Sequence, residues 1–298
     1  MLKVGSRAST LATAQAEQVV RLITDAGVAC ELVLFETKGD KILDRALDAI
    51  GDKGLFTTEL ENALIAGTID LAVHSLKDLP TTLMEDLTIG AYLLPEDPRD
   101  VLIAAPHLTW ETLPSGAVIG TSSLRRKAFL SAMRPDLEIV PVRGNLQTRV
   151  EKWKSQGWDG LILAAAGVHR LHWQDMIASY MDPWTFVPSP GQGVLAAEIR
   201  RDNEPIQQLL ASLNDEQAAL RARAVRACLA QLGGGCQIPF GAYAELVDSH
   251  VLRMRAKVGD LQGEHILVAD VQGDVADPER IGREAGQRLI EQGALKLL

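Results

Sequence analysis

From Leu2 to Ser75 the chain switches repeatedly between strand-like and helix-like segments, and few folds accept that order. Leu2 to Ser6 reads as a strand. Ser9 is placed to cap a helix that runs to about Ala26 and is closed by Gly27. A second strand over Glu31 to Thr37 and a second helix over Thr57 to Ala66, closed by Gly67, come next. Ile69 to Ser75 is a third strand and leads into Leu76-Lys77-Asp78-Leu79-Pro80. Parallel neighbours need a crossover that a helix supplies, so a βαβαβ order implies an α/β unit with a largely parallel sheet.

After Pro95-Glu96-Asp97-Pro98 the rhythm restarts. Val101 to Ala104, Ala117 to Gly120, Leu137 to Val140 and Gly160 to Ala164 read as strands, with helices over Ser122 to Met133 and Asn145 to Gln156. Pro188-Ser189-Pro190-Gly191-Gln192-Gly193 reads as a crossing back toward the first unit. A helix over Asp215 to Gln231, segments at Val251 to Val258 and Ile266 to Val271, and a helix over Pro278 to Glu291 point to a small α+β unit. A length of 298 residues accommodates two or three such domains.

At 47% hydrophobic and 23% charged residues the chain reads as globular. No apolar run of about 18 residues is present to span a bilayer. With no export signal, and with three cysteines that form no CxxC pair, the expected location is the cytoplasm. A formal net charge of -9 argues against nucleic acid as the main partner, because phosphate backbones select basic surfaces. Basic residues clustered within an acidic protein point instead to a small anion held in a cleft.

Those basic residues sit where strands end. Thr121-Ser122-Ser123-Leu124-Arg125-Arg126 follows a strand and opens a helix, combining hydroxyls and free N–H groups with fork-shaped donors. Arg143-Gly144-Asn145 with Arg149 repeats the arrangement, Arg149 lying one turn beyond Asn145. Arg7 ends the first strand, and Arg170 follows Ala164-Ala165-Ala166-Gly167. Singly each is an ordinary solvated charge; together they describe an anion cleft at the sheet ends. Lys77-Asp78 occupies another strand end, where the aspartate serves as acid, base or cation stabiliser, or the two form a plain turn ion pair. Gly51-Asp52-Lys53-Gly54-Leu55-Phe56 is a glycine-framed loop without phosphate-loop spacing. Gly191-Gln192-Gly193 lacks the third glycine of a dinucleotide fingerprint. His169 and His172 lack partners of metal-site spacing and read as structural.

The helix ending near Gln231 runs into Gly233-Gly234-Gly235-Cys236-Gln237-Ile238-Pro239. Three glycines leave bare backbone around the thiol, and Pro239 stiffens the exit. Cys236 is therefore a candidate covalent attachment point or nucleophile, set against a packing role that cysteine often fills. Cys30 and Cys228 fit packing better.

Together these segments resemble the hydroxymethylbilane synthase (porphobilinogen deaminase) family over nearly the whole chain. The resemblance rests on Arg7 with Ser9, Lys53-Gly54-Leu55-Phe56, Val73-His74-Ser75-Leu76-Lys77-Asp78-Leu79-Pro80 and Asp97-Pro98-Arg99-Asp100. It continues through Gly120 to Arg126, Arg143-Gly144-Asn145 with Arg149, Gly191-Gln192-Gly193 and Gly234 to Pro239. Val225 stands where the family typically carries Glu before Arg226, and Gly233 replaces a more usual polar residue.

The resemblance implies a transferase of tetrapyrrole and heme biosynthesis, working as a monomer without nucleic acid, membrane or metal. It joins four porphobilinogens head to tail on a dipyrromethane cofactor, releasing ammonia at each step, and water releases linear hydroxymethylbilane. Cys236 holds the cofactor by a thioether. Asp78 is the catalytic carboxylate, facing positive charge on pyrrole nitrogens. Arg7, Lys77, Arg125, Arg126, Arg143, Arg149 and Arg170 bind cofactor and substrate carboxylates. Ser9, Ser75, Thr121, Ser122, Ser123 and Gln192 add polar contacts, with Lys53 and Phe56 as loop contacts. The implied fold is two type II periplasmic-binding-protein-like α/β domains and a smaller α+β domain. Residues 1–94 with 194–213 form the first, 99–188 the second, and 216–298 the third, which carries the cysteine loop.

If the thiol were dispensable, the same arginines would describe a non-catalytic, two-lobed anion-binding module. A covalent adduct on Cys236 discriminates between the two.

Overall fold

The computed structural model describes residues 1–41, 55–233 and 238–298. The first unit contains β1 (Leu2–Arg7), α1 (Thr10–Asp25), β2 (Cys30–Phe35), the short α2 (Lys38–Lys41), α3 (Thr58–Ile65), β3 (Leu71–Ser75) and β4 (Leu87–Leu93). Ser9 caps α1 by accepting from the Ala12 N–H at 3.4 Å, and Gly27 follows with a positive φ of 89°. Between β3 and β4, Leu76–Asp78 forms a single 3-10 turn.

The second unit runs through β5 (Asp100–Ala104), β6 (Val118–Gly120), α4 (Leu124–Met133), β7 (Glu138–Val140), α5 (Leu146–Gln156), β8 (Gly160–Ala164), α6 (Ala165–Arg170) and β9 (Ile177–Tyr180). Ser123 and Asn145 cap α4 and α5 with their side-chain oxygens. The chain then returns through β10 (Leu195–Arg200) and α7 (Glu204–Leu213).

Sheet order exposes a symmetry. The first sheet is ordered β2-β1-β3-β10-β4 and the second β7-β6-β8-β5-β9. In each, the penultimate strand runs against the other four. Those reversed strands, β10 and β5, are the ones reached directly from the two crossing segments. The two sheets are thus built alike, as expected of two related α/β domains. Largely parallel sheets are present as the pattern implies, with one antiparallel member apiece. The crossings touch: Glu96 N–H donates to the Gly193 carbonyl at 3.1 Å. Gly193 has a φ of 93°, and a Cβ there would collide with the Glu96 carbonyl oxygen, so glycine is required.

The third unit is α8 (Glu216–Gln231), β11 (Phe240–Leu246), β12 (Val251–Gly259), β13 (Ile266–Asp274) and α9 (Pro278–Glu291). Its three strands form an antiparallel meander packed against α8 and α9 around Leu252, Met254, Val258, Ile281 and Leu289. Val225, at the position where the family's glutamate was expected, is buried in this core. The third unit touches both others. Lys257 and Arg255 donate to the carbonyls of Thr185 and Trp184 at 2.9 and 2.7 Å. On the other side, Ala222 of α8 packs against Leu76, Leu79 and Ala196.

Candidate active site

The C-terminal end of β3 supplies the first wall. Leu76 N–H donates to Val194 O at 3.0 Å and Leu79 N–H to Leu76 O at 3.1 Å, closing the 3-10 turn. The buried side chains of Leu76 and Leu79 pin it from beneath, which leaves Lys77 and Asp78 partly exposed on its outer side. Lys77 Nζ donates to Gln192 Oε1 at 3.3 Å. Gln192 is 4% exposed, and its amide donates to Pro98 O at 2.8 Å and to Asp100 Oδ1 at 3.0 Å. One glutamine therefore spans both sheets and the crossing.

The second wall is built on helix starts. Asp100, fully buried at the head of β5, receives Arg125 Nη1 at 2.7 Å and Arg126 Nη2 at 2.7 Å. Arg125 also donates to Val187 O and Arg126 to Ile162 O, each at 2.8 Å. Burial by itself raises the Asp100 carboxyl, but the two guanidiniums outweigh it and hold the group well below the usual carboxylate range. Two adjacent buried arginines at a helix start need this shared counter-ion, because charges this deep are tolerated only when paired.

Beyond that pair the wall is a field of like charge. Burial, then the nearby guanidiniums of Arg126 and Arg143, press Arg149 down to about 10, with Asp78 acting in the opposite sense. Its Nε donates to Gly144 O at 2.8 Å. Burial also pushes the Lys77 ammonium down to about 8; Asp78 opposes this, while Arg126 and Arg125 reinforce it. These couplings place Lys77 and Asp78 from the first sheet in one electrostatic neighbourhood with Arg125, Arg126, Arg143 and Arg149 from the second.

Other residues singled out in the sequence lie elsewhere or are already engaged. Arg7 stacks over the Phe56 ring at 4.3 Å. Arg170 is 7% exposed and donates to the carbonyls of Leu94 and Gly193, at 2.9 and 2.8 Å, so it bridges the crossings. Ser75 Oγ donates to Gln15 Oε1 at 3.2 Å. Ser122 Oγ donates to Val142 O at 2.8 Å and accepts from Val142 N–H at 2.9 Å, joining the ends of β6 and β7. Thr121 Oγ1 accepts from Ser123 N–H at 3.2 Å, and Ser9 and Ser123 are helix caps. His169 bridges Glu96 at 3.1 Å and Tyr180 at 2.8 Å. Lys53 and Cys236 lie outside the described residues. A small cavity joins Lys77, Ser123 and Arg125 to Leu229, Ile238 and Phe240, residues that precede and follow the cysteine segment in sequence.

Sequence reasoning quoted Asp100 within a family motif but gave it no role. Its available signal was an acid heading the apolar strand Val101-Leu102-Ile103-Ala104. An acid there is costly unless something charged meets it.

Two family models cover the chain: "Porphobilinogen deaminase, dipyromethane cofactor binding domain" over residues 2–208, and "Porphobilinogen deaminase, C-terminal domain" over residues 219–291. The chain belongs to the porphobilinogen deaminase family. Relatives bearing that name include one from Moorella thermoacetica, 47% identical with 100% of this chain and 95% of the relative covered. Another, from Geobacillus kaustophilus, is 46% identical over 99% of this chain and 96% of its own length. Among solved structures, the methionine binding protein MetQ aligns over 73% of this chain and 91% of its own, at 12% identity and a TM-score of 0.45.

The donor set fits the cofactor named by the first family model. Two linked porphobilinogen units carry four carboxylates, and guanidinium forks with a lysine match such a polyanion. Among the described residues, no helix is long and apolar enough to cross a membrane.

Proposed function

We propose that the cleft between the two five-stranded sheets assembles hydroxymethylbilane from porphobilinogen, with Asp78 at the reacting centre. The family defines the chain as a transferase of tetrapyrrole biosynthesis that uses dipyrromethane. The observation supporting this site assignment is the hydrogen-bonded chain that runs from Lys77, beside Asp78 on one strand-end turn, through Gln192 to Asp100 and its two arginines on the facing sheet.

Each addition breaks the bond between the substrate's aminomethyl carbon and nitrogen, which leaves as ammonia. A carbon–carbon bond then forms to a free pyrrole α-carbon, which gives up its proton. Positive charge appears on pyrrole nitrogen along this path. The Asp78 carboxylate accepts pyrrole N–H groups and stabilises that charge from a turn that needs no rearrangement to do so. Lys77, Arg126, Arg143 and Arg149 hold acetate and propionate groups, with Arg7 extending the same surface. Arg125 acts with Arg126 through their shared Asp100, while Arg170 and Gln192 keep the two crossings in register. Ser9, Ser75, Thr121, Ser122 and Ser123 hold the strand-end backbone that presents these charges. Cys236 anchors the dipyrromethane group by a thioether; when bound, that group supplies the nucleophilic carbon for the first addition. Lys53 and Phe56 belong to the loop contacts of the cleft.

The three units are domains of residues 1–94 with 194–213, 99–188 and 216–298. The chain works as a cytoplasmic monomer, a reading in line with the family resemblance and, for the location, with the free thiols of Cys30 and Cys228.

Intact-protein mass spectrometry after acid denaturation tests the anchor. The expected result is an excess mass of two pyrrole units that disappears in Cys236→Ala. A fully supplied protein without that excess sinks the assignment. For the carboxylate, Asp78→Ala is expected to lower turnover by about 10²-fold or more while the fold persists; near-normal consumption of porphobilinogen rejects the role.

A further inference from the structure

Helix α8 reaches across to the turn that presents Asp78. The Arg226 guanidinium donates to three successive main-chain carbonyls just beyond the aspartate. Nη2 meets Pro80 O at 2.8 Å and Thr81 O at 3.4 Å, and Nη1 meets Leu79 O at 3.3 Å. One helical turn earlier, on the same face, Ala222 packs against Leu76 and Leu79. The turn is therefore held at its entry by Val194 O, from beneath by leucines on Ala222, and at its exit by a cation fork. None of these contacts involves the Asp78 carboxylate, which stays on the outer side.

We infer that Arg226 is a positioning residue for Asp78, clamping the catalytic turn to the helix that leads in sequence to Cys236. This rests on the assignment of Asp78 as the reacting carboxylate. A guanidinium suits the task because its planar fork engages several carbonyls at once, and a lysine reaches fewer with poorer direction. A helix is stiff along its axis, rising about 1.5 Å per residue, so the last turns of α8 and the Asp78 turn form one frame. Lengthening of the product then has to be taken up on the arginine-lined side of the cleft, not by withdrawing Asp78 from α8.

The test compares Arg226→Met, Arg226→Lys and Asp78→Ala in the cofactor-loaded protein. Arg226→Met is expected to keep the pyrrole adduct mass and porphobilinogen KM, and to lose kcat by ~10-fold or more, since a misplacement near 1 Å can cost about 10²-fold. Arg226→Lys is expected to recover part of that loss. A double-mutant cycle with Asp78→Glu supplies a readout that general destabilisation does not move. Asp78→Glu already displaces the carboxylate, so adding Arg226→Met should cost much less than it does alone. Arg226→Met with wild-type kcat beside an inactive Asp78→Ala overturns the inference alone, as do additive effects in the cycle. An active Asp78→Ala overturns the underlying assignment of Asp78 and the inference with it.

Discussion

The two sheets share strand order and one reversed strand apiece but present charge in opposite ways. At the end of β3 the functional groups ride on a turn whose rigidity is in its main chain and leucines; Lys77 and Asp78 stay partly exposed. At the ends of β6 and β7 they ride on helix starts. Arg125 and Arg126 are buried there and stand only because Asp100 neutralises them. Topology thus sets where charge can be displayed, while local packing sets whether it is spent on the fold or left for a ligand. On the proposed assignment, the first sheet contributes the partly exposed carboxylate of Asp78 to answer developing positive charge. The second contributes a cation field whose innermost members are already committed.

The sharpest way to break this comparison is to remove the counter-ion. Asp100→Asn leaves two buried guanidiniums facing each other, and is expected to lower stability by about 3–5 kcal/mol. A urea midpoint within experimental error of the parent would show that the second wall does not depend on it. Arg170→Met removes two charge-assisted bonds that join the crossings, for an expected loss of roughly 2 kcal/mol in the same measurement. Because Arg170 is committed to carbonyls, the adduct mass on Cys236 should persist in this variant. Loss of the adduct from a folded Arg170→Met protein would return Arg170 to the ligand-binding set.

Titration separates the walls next. Arg149 at about 10 stays charged at neutral pH, whereas Lys77 at about 8 does not stay so for long above it. Porphobilinogen affinity is therefore expected to weaken as pH rises through about 8, and Lys77→Met should flatten that dependence. For the free protein the sign runs the other way. The folded pKa of Lys77 lies below its unfolded value of 10.5, so the unfolded chain binds the extra proton between them. The destabilisation from this lysine is fully present below about 8 and is relieved as pH climbs toward 10.5. Melting temperatures across that window, wild type against Lys77→Met, check it. The smallest effect belongs to Ser122→Ala, which unties β6 from β7 at a cost of about 1 kcal/mol. No change in the urea midpoint would mean that this link is replaced by solvent.

Much of this is legible in residues taken singly. Capping residues Ser9, Ser123, Asn145 and Asp215 announce their helices because the cap is a bond to an N–H three residues on. The strand-end positions of Arg7, Lys77, Arg126, Arg143 and Arg149 follow from the α/β rhythm. β4, β9, β10 and β11 were not read from the sequence. Leu195-Ala196-Ala197-Glu198-Ile199-Arg200 is apolar without a clear period, as befits a strand covered on both faces.

What the sequence determined by itself was local: where helices start, where strands end, and which residue types stand there. The tertiary structure decided the partnerships. Asp100 meets arginines 25 and 26 positions away, Gln192 reaches back to Pro98, and Arg226 grips carbonyls more than 140 residues earlier. Such bonds carry no signature in local spacing, because the groups meet only once the strands and helices between them have packed. It is these long-range bonds that separate an arginine holding the fold from one left to hold a ligand.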